Sequence, residues 1–329
     1  MTDSRFPTPP AMPMTFGQIL DRIWRLLKSA WRPFIGIGLF PFGLFLLLYA
    51  AFFAAMFLAG VFPHPPAHPN VNAMVFTLLP MYLLMLAVML PAYGMYYGSS
   101  TYAALHADRG QQATTAQSFR HAWTNLGRYT WLMFLRSLIV AGPILVGVAL
   151  IGIGALVVTL NSNGNPSPGL LFLLFPLGVL LYLGGLVWAV LMSLRYALAF
   201  PACLHENLTA TQSLKRSAQL TQGAKGRIFL VALIIYAISY AGIMVLYIVF
   251  AIVAAIVGLA GAGSWDHMGP AAYILLGILG LVVLAFLLVY AALLMAAYSI
   301  AFAVQYRDQC LRVDPQPPPF LTSENALSS

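Results

Sequence analysis

The sequence predicts an all-α membrane protein: six transmembrane helices in three hairpins, each preceded by a short amphipathic helix on the cytoplasmic side, with both termini cytoplasmic. Three observations carry this prediction. First, 61% of the 329 residues are hydrophobic and only 7% are charged, whereas soluble domains carry about 25% charged residues. A surface so poor in charge must face lipid. Second, six apolar stretches, 33–60, 74–98, 129–160, 170–194, 228–261 and 271–304, reach the roughly 20 residues that cross a bilayer. Third, all 16 Lys and Arg fall in the N-terminal segment, the second and fourth connections, the C-terminal tail, or helix ends beside them. The three intervening connections have none, which is the positive-inside pattern.

The elements follow in order. Residues 1–13 are polar and Pro-rich and read as a disordered tail. They lack the apolar core and small-residue cleavage site of a signal peptide, so the first spanning helix itself directs insertion. The membrane domain is expected over 14–308, with pseudo-repeats at about 14–109, 113–207 and 208–308. Each unit opens on a T-x-x-Q capping box, in which Thr and Gln close on each other's backbone N–H groups. The boxes are Thr15–Gln18, Thr114–Gln117 and Thr209–Gln212, with starts 99 and 95 residues apart. Each opens a short helix that ends at an Arg before a span: Arg32, Arg128 and Arg227. The hairpins close alike, on Leu105-His106-Ala107, Leu204-His205-Glu206 and Tyr306-Arg307-Asp308, each with a tyrosine (Tyr97, Tyr196, Tyr298) nine residues before its second position. Repetition at fixed spacing marks a repeated unit.

In the first surface helix, Phe16, Ile19, Leu20, Ile23, Trp24, Leu27 and Trp31 recur at helical spacing. Asp21, Arg22, Arg25, Lys28 and Ser29 are expected opposite, with Asp21 and Arg25 paired at i,i+4. A basic amphipathic helix at a membrane lies in the interface, apolar side down. Arg22, Arg25, Lys28 and Arg32 are therefore the expected interfacial basic set. Phe119, Trp123 and Leu126 give the second helix a weaker apolar face, and Leu214 and Ala218 the third. Residues 309–329 read as a disordered Pro-rich tail.

The eight acidic residues, Asp3, Asp21, Asp108, Glu206, Asp266, Asp308, Asp314 and Glu324, avoid the middle of every span. That lowers the expectation of an ion-coupled carrier, which commonly holds carboxylates at membrane depth. There is no Walker loop, H-E-x-x-H, G-x-S-x-G or clustered Cys/His set, so no catalytic residue, cofactor or metal is expected. His64 and His68, in a Pro-stiffened loop without a carboxylate, read as part of a rigid turn. His106 and His205 sit at helix C-termini, where an imidazolium suits the dipole. Cys203 and Cys310 read as small residues in a reducing compartment. Gly94 and Gly98 form one G-x-x-x-G, a pattern of close helix packing. Further Gly and Pro in the spans (Gly36, Gly38, Pro41, Pro80, Pro91, Gly142, Pro143, Pro176, Gly184, Gly185) serve either packing or a moving hinge.

Arg136 and Arg195 lie inside spans, on adjacent antiparallel helices at similar depth, without an acid nearby in the sequence. Either they contact an anionic phospholipid head group, with Arg128 and Arg227 at the surface, or each guanidinium snorkels to the interface.

The stretches LDRIWRLLKSAWRPFIGIGLFP (20–41) and RYALAFPACLHENLTATQSLKRSAQLTQGAKGRIFLVALI (195–234) resemble the membrane domain attached to some bacterial glycerophosphoryl diester phosphodiesterases, and related six-helix bacterial membrane proteins. The shared pattern is an Arg at a helix end, an amphipathic helix bearing Ser213 and Ser217, then Gly and a basic residue before the next span. In that family the hydrolase is a separate soluble barrel, and only 21 residues follow Asp308. The resemblance thus implies a bacterial inner-membrane protein without chemistry of its own. The expected function is a scaffold, partner subunit or lipid-associating module, with membrane lipids and an unidentified protein as partners and no nucleic acid. The alternative is a transporter or channel for a hydrophobic or anionic solute.

Overall fold

A computed structural model describes residues 12–58, 71–160, 168–260 and 270–313. His64, His68, the connections at 59–70, 161–167 and 261–269, and the chain ends lie outside the described residues. Among the described residues all regular structure is helical: α1 Phe16–Leu58, α2 Val71–Asp108, α3 Thr115–Thr124, α4 Leu126–Leu160, α5 Pro168–Arg195, α6 Ala199–His205, α7 Ala210–Leu220, α8 Lys225–Ala260 and α9 Pro270–Val313. Six of these chain segments are long and apolar enough to cross a membrane: Phe16–Ala54, Pro80–Asp108, Leu126–Ala155, Leu173–His205, Lys225–Val249 and Gly277–Val313. The chain is built as a multi-pass integral membrane protein.

The first surface helix and the first span are one element, α1, broken at Ala30 (φ −117°, ψ 18°). Pro33 explains the break. It has no N–H for the Ser29 carbonyl, and its ring crowds that carbonyl. At the far end α9 continues to Val313, so the first five residues assigned from sequence to the C-terminal tail, 309–313, are helical. The fourth span is interrupted at 196–198, where α5 stops and α6, about two turns long, begins.

Buried residues concentrate toward the end of the bundle that carries Arg22, Arg128, Arg227 and Arg307, called the basic end below. The core there joins Ile19, Ile23, Leu26 and Phe34 of α1 to Ala104 and Leu105 of α2, Ile228 and Val231 of α8, and Ile300 and Val304 of α9. Away from it the helices turn large apolar side chains outward. Leu47 is 65% exposed, Leu180 69%, Tyr247 68% and Leu281 67%. So continuous an apolar surface needs lipid around it.

Packing does not divide the bundle into three equal hairpins. The most extensive contact is α4 with α5, and the next is α1 with α9, more extensive than α1 with α2. Helix α8 touches α9 and α5 only thinly. The α4–α5 pair is antiparallel and nearly backbone to backbone. A Cβ added at Gly147 would stand 2.6 Å from the Tyr182 nitrogen, and one at Gly178 3.0 Å from the Gly147 carbonyl oxygen. The G-x-x-x-G of α2 works likewise against α4: a Cβ at Gly94 would be 2.9 Å from the Thr130 nitrogen, and one at Gly98 2.4 Å from the Tyr129 ring. By contrast Gly142 and Gly184 have nothing within 4 Å of that position.

Candidate functional site

The three T-x-x-Q boxes close with the same bond. The Gln side-chain oxygen accepts the Thr backbone N–H at 2.8 Å in Thr15–Gln18, 3.0 Å in Thr114–Gln117 and 3.0 Å in Thr209–Gln212. Thr114 adds the reciprocal bond, accepting the Gln117 N–H at 3.2 Å, while the Thr209 hydroxyl donates to the Gln212 side-chain oxygen at 2.9 Å. Each box fixes where a short helix begins, and so which of its side chains turn inward.

In α7 the inward residues include Ser213, Ser217 and Leu220, followed by the buried C-cap residue Thr221. Ser217 Oγ donates to the Arg195 carbonyl at 2.9 Å and accepts the Leu198 N–H at 3.2 Å, and Thr221 Oγ1 also donates to the Arg195 carbonyl. The break between α5 and α6 therefore has its freed backbone groups satisfied by α7. Ser217→Ala should cost about 1–3 kcal/mol, the usual price of a buried donor left unpaired. Thermal unfolding in detergent would read this as a clear downward shift, and an unchanged midpoint would argue against it.

Charged residues at the basic end form an interlocked set. Asp108 is 2% exposed and Arg22 4%. Arg22 Nε donates to Asp108 Oδ1 at 2.6 Å, and Arg307 Nη1 to Oδ2 at 3.2 Å. Asp308, fully buried, takes Arg227 at 3.0 Å and Arg312 at 2.9 Å, and accepts the Met14 N–H at 2.7 Å. Arg227 and Arg312 both donate to the Met14 carbonyl as well. Glu206 takes Arg216 at 2.9 Å and the Tyr306 hydroxyl at 2.7 Å. The exposed pair Asp21–Arg25 closes at 2.6 Å, at the i,i+4 spacing expected. Every carboxylate among the described residues is thus ion-paired.

This corrects the reading of the first surface helix. Its buried face runs through Ile19, Arg22, Ile23, Leu26 and Ala30, while Trp24 is 65% and Trp31 44% exposed. Arg22 belongs to the protein core, held there by Asp108, and not to an interfacial basic face. Arg25, Lys28 and Arg32 remain exposed, with Arg32 5.5 Å from the Trp31 ring.

Arg128 links the two ends of the second unit, donating to the side-chain oxygens of Asn207 and Asn125 and lying 5.4 Å from the Tyr129 ring. Nearby, Tyr102 stacks against His121 at 4.4 Å between ring centroids and meets His106 at 4.0 Å with the rings tilted. Burial, reinforced by Arg128, lowers the His121 pKa below the ordinary imidazole value. His121 Nε2 lies 3.1 Å from the Tyr129 hydroxyl. His106 and His205 occupy the last turns of α2 and α6, and His205 Nδ1 lies 3.3 Å from the Tyr306 hydroxyl. Cys203 and Cys310 are both buried, and neither is in a disulfide among the described residues.

Arg136 lines a cavity whose wall does not include Arg195. Arg195 is exposed and lies 5.9 Å from the ring of its neighbour Tyr196. Arg136 is half-buried, 5.9 Å from the Tyr97 ring on α2, and lines a cavity of about 260 Å³ together with Tyr97, Thr101, Phe200, Tyr298 and Ser299. Two of the three tyrosines that stand nine residues before the hairpin ends, Tyr97 and Tyr298, meet at this cavity. Among the described residues no carboxylate pairs with Arg136. Sequence reasoning found Arg136 by its depth but not its partners, because nothing in the pattern connects 97, 136 and 298. No family model, curated protein or solved structure matches this chain.

Proposed function

We propose that this chain is a multi-pass protein of a bacterial inner membrane, built from three copies of one helical unit. It works as a scaffold, partner subunit or lipid-associating module and not as an enzyme. The observation that carries this reading is the ion-paired state of Asp21, Asp108, Glu206 and Asp308. A carboxylate poised for proton transfer or ion coupling needs room to change its charge. Asp108 and Asp308 each hold two arginines inside protein, which suits a rigid end plate tying α1, α2, α8 and α9 together. Around that plate Arg25, Lys28, Arg32, Arg120, Lys215 and Lys225 are exposed, available to anionic head groups at about 1 kcal/mol per basic residue. The resemblance to phosphodiesterase membrane domains fits this reading, and cytoplasmic termini accord with the basic residues.

Two measurements test it. Reporter fusions after His68, Asn163 and Trp265 should report the outside, and those after Gly110, Gln222 and Asp314 the cytoplasm; a cytoplasmic signal at Asn163 breaks the three-unit reading. Native mass spectrometry of the tagged chain drawn gently from its membrane should show a stoichiometric partner or retained lipid. A second reading, a transporter or channel for a hydrophobic or anionic solute, is favoured by the thin contacts of α8, which a moving helix would need. Solute flux in proteoliposomes that responds to substitutions along α8 would replace the first reading with the second.

A further inference from the structure

We propose that the cavity at Arg136 binds one phosphate monoester or diester anion, the head group of an anionic phospholipid or a soluble phosphate ester of the same chemistry. This deepens the lipid-associating part of the reading above and rests on it. Arg136 stands eight residues beyond Arg128 in α4, roughly 12 Å deeper along the axis at 1.5 Å per residue. At that depth a guanidinium without a counter-charge is costly, and such residues ordinarily face a cavity or a partner. Here the protein supplies the cavity and an aromatic face, but among the described residues no anion.

Several helices build the cavity. Arg136 comes from α4, Tyr97 and Thr101 from α2, and Tyr298 and Ser299 from α9. Yet α4 and α9 hardly touch, and α5 meets α8 only thinly. The cavity lies between α4 and α9, with α2 and with Phe200 and Pro201 of α6 completing its wall. Basic pockets between membrane helices are places where lipid head groups bind.

The lining selects the chemistry. Arg136 offers a planar fork of N–H donors that matches phosphate oxygens in bidentate fashion. The Tyr97 and Thr101 side chains add hydroxyls from α2, while the Tyr298 ring lines the α9 side with its own hydroxyl donating to the Ala232 carbonyl. One cation balances one negative charge, the charge of a phosphodiester such as phosphatidylglycerol. At about 260 Å³ the space falls just below the roughly 300–1,000 Å³ of small-molecule pockets. It has room for a head group, with acyl chains left outside. Arg195, exposed on its own tyrosine, is not part of the site.

The test uses the full chain purified in detergent, as wild type, Arg136→Gln, Arg136→Lys and Arg195→Gln, each required to run as a single species on size exclusion. Native mass spectrometry counts lipid retained after incubation with phosphatidylglycerol or phosphatidylcholine. Parallel thermal shifts use glycerol phosphate and inorganic phosphate. Wild type and Arg195→Gln should hold one phosphatidylglycerol tightly and discriminate against phosphatidylcholine. Arg136→Gln should lose at least tenfold in apparent affinity, and Arg136→Lys, with the charge but not the fork, should fall between. If glycerol phosphate gives the Arg136-dependent effect and the lipid does not, the occupant is the soluble ester. If Arg136→Gln binds every probe as wild type does, or Arg195→Gln loses the lipid instead, the proposal is overturned. A missing protein partner would count against the scaffold reading and leave this result untouched, so the two fail separately.

Discussion

Asp108→Asn is expected to be the most damaging conservative substitution in the chain. It removes the charge that neutralises Arg22, itself 4% exposed, and the carboxylate that Arg307 reaches at 3.2 Å. Breaking a buried pair from one side typically costs about 3–5 kcal/mol, because the other charge stays buried without compensation. That is a large part of the stability of an ordinary domain. The purified variant should aggregate on extraction or unfold far below wild type on a detergent melting curve. Arg22→Met placed on top should recover part of the loss, since it removes the buried cation that the neutral amide no longer balances. If Asp108→Asn melts like wild type, or if Arg22→Met fails to help, the ion pair is not what holds α1 to α2.

The second large effect belongs to the α4–α5 seam. Gly147→Val would drive side-chain carbon into the Tyr182 backbone, 2.6 Å from where a Cβ would sit. Backbone cannot swing aside as a flexible side chain can, so the helices must separate along their most extensive contact. Overpacking costs typically about 1–3 kcal/mol, and a collision with backbone belongs at the upper end or beyond. Gly142→Val, five residues earlier on the same helix and open for 4 Å, is the matched control and should be nearly silent. Equal melting temperatures for the two variants would mean that α4 and α5 do not pack in this register.

How much was legible in the sequence depended on whether a signal was local. Six spans and three capping boxes are local: the first is a matter of apolar length, the second of residues three apart. The six spans appear as expected, and so does the bond from the Gln side chain to the Thr backbone in all three boxes. The face of the first helix was only half legible. Ile19, Ile23 and Leu26 share the spacing of a buried stripe, and Arg22 stands within it. A cation there reads as polar surface until a carboxylate 86 residues away is placed against it. Trp24 and Trp31 fit the apolar stripe by hydropathy yet are exposed, as large amphipathic rings are at a membrane edge. The split of α5 from α6 was illegible for the same reason. Tyr196, Ala197 and Leu198 carry no breaker, and the hydroxyls that stabilise the break arrive from Ser217 and Thr221 on another helix. At the cavity, depth flagged Arg136 and Arg195 alike. Only the packing of α2 and α9 separated them.

The bonds from Met14 to Asp308 and Arg312 tie together residues 294 and 298 apart in the chain, which bears on the order of assembly. At about 5–20 residues per second of synthesis, α1 exists for roughly 15–60 s before the ribosome supplies α9, its most extensive partner. In that interval the face of α1 that will meet Ala292 through Gly38 has only lipid or an insertion factor to cover it. Arg22 waits a shorter time, because Asp108 arrives with the next helix. The first two helices can therefore cancel their buried charge early, while closure of the end plate is deferred to the last residues made. Nascent chains stalled before Asp308 should be the forms that quality-control proteases remove.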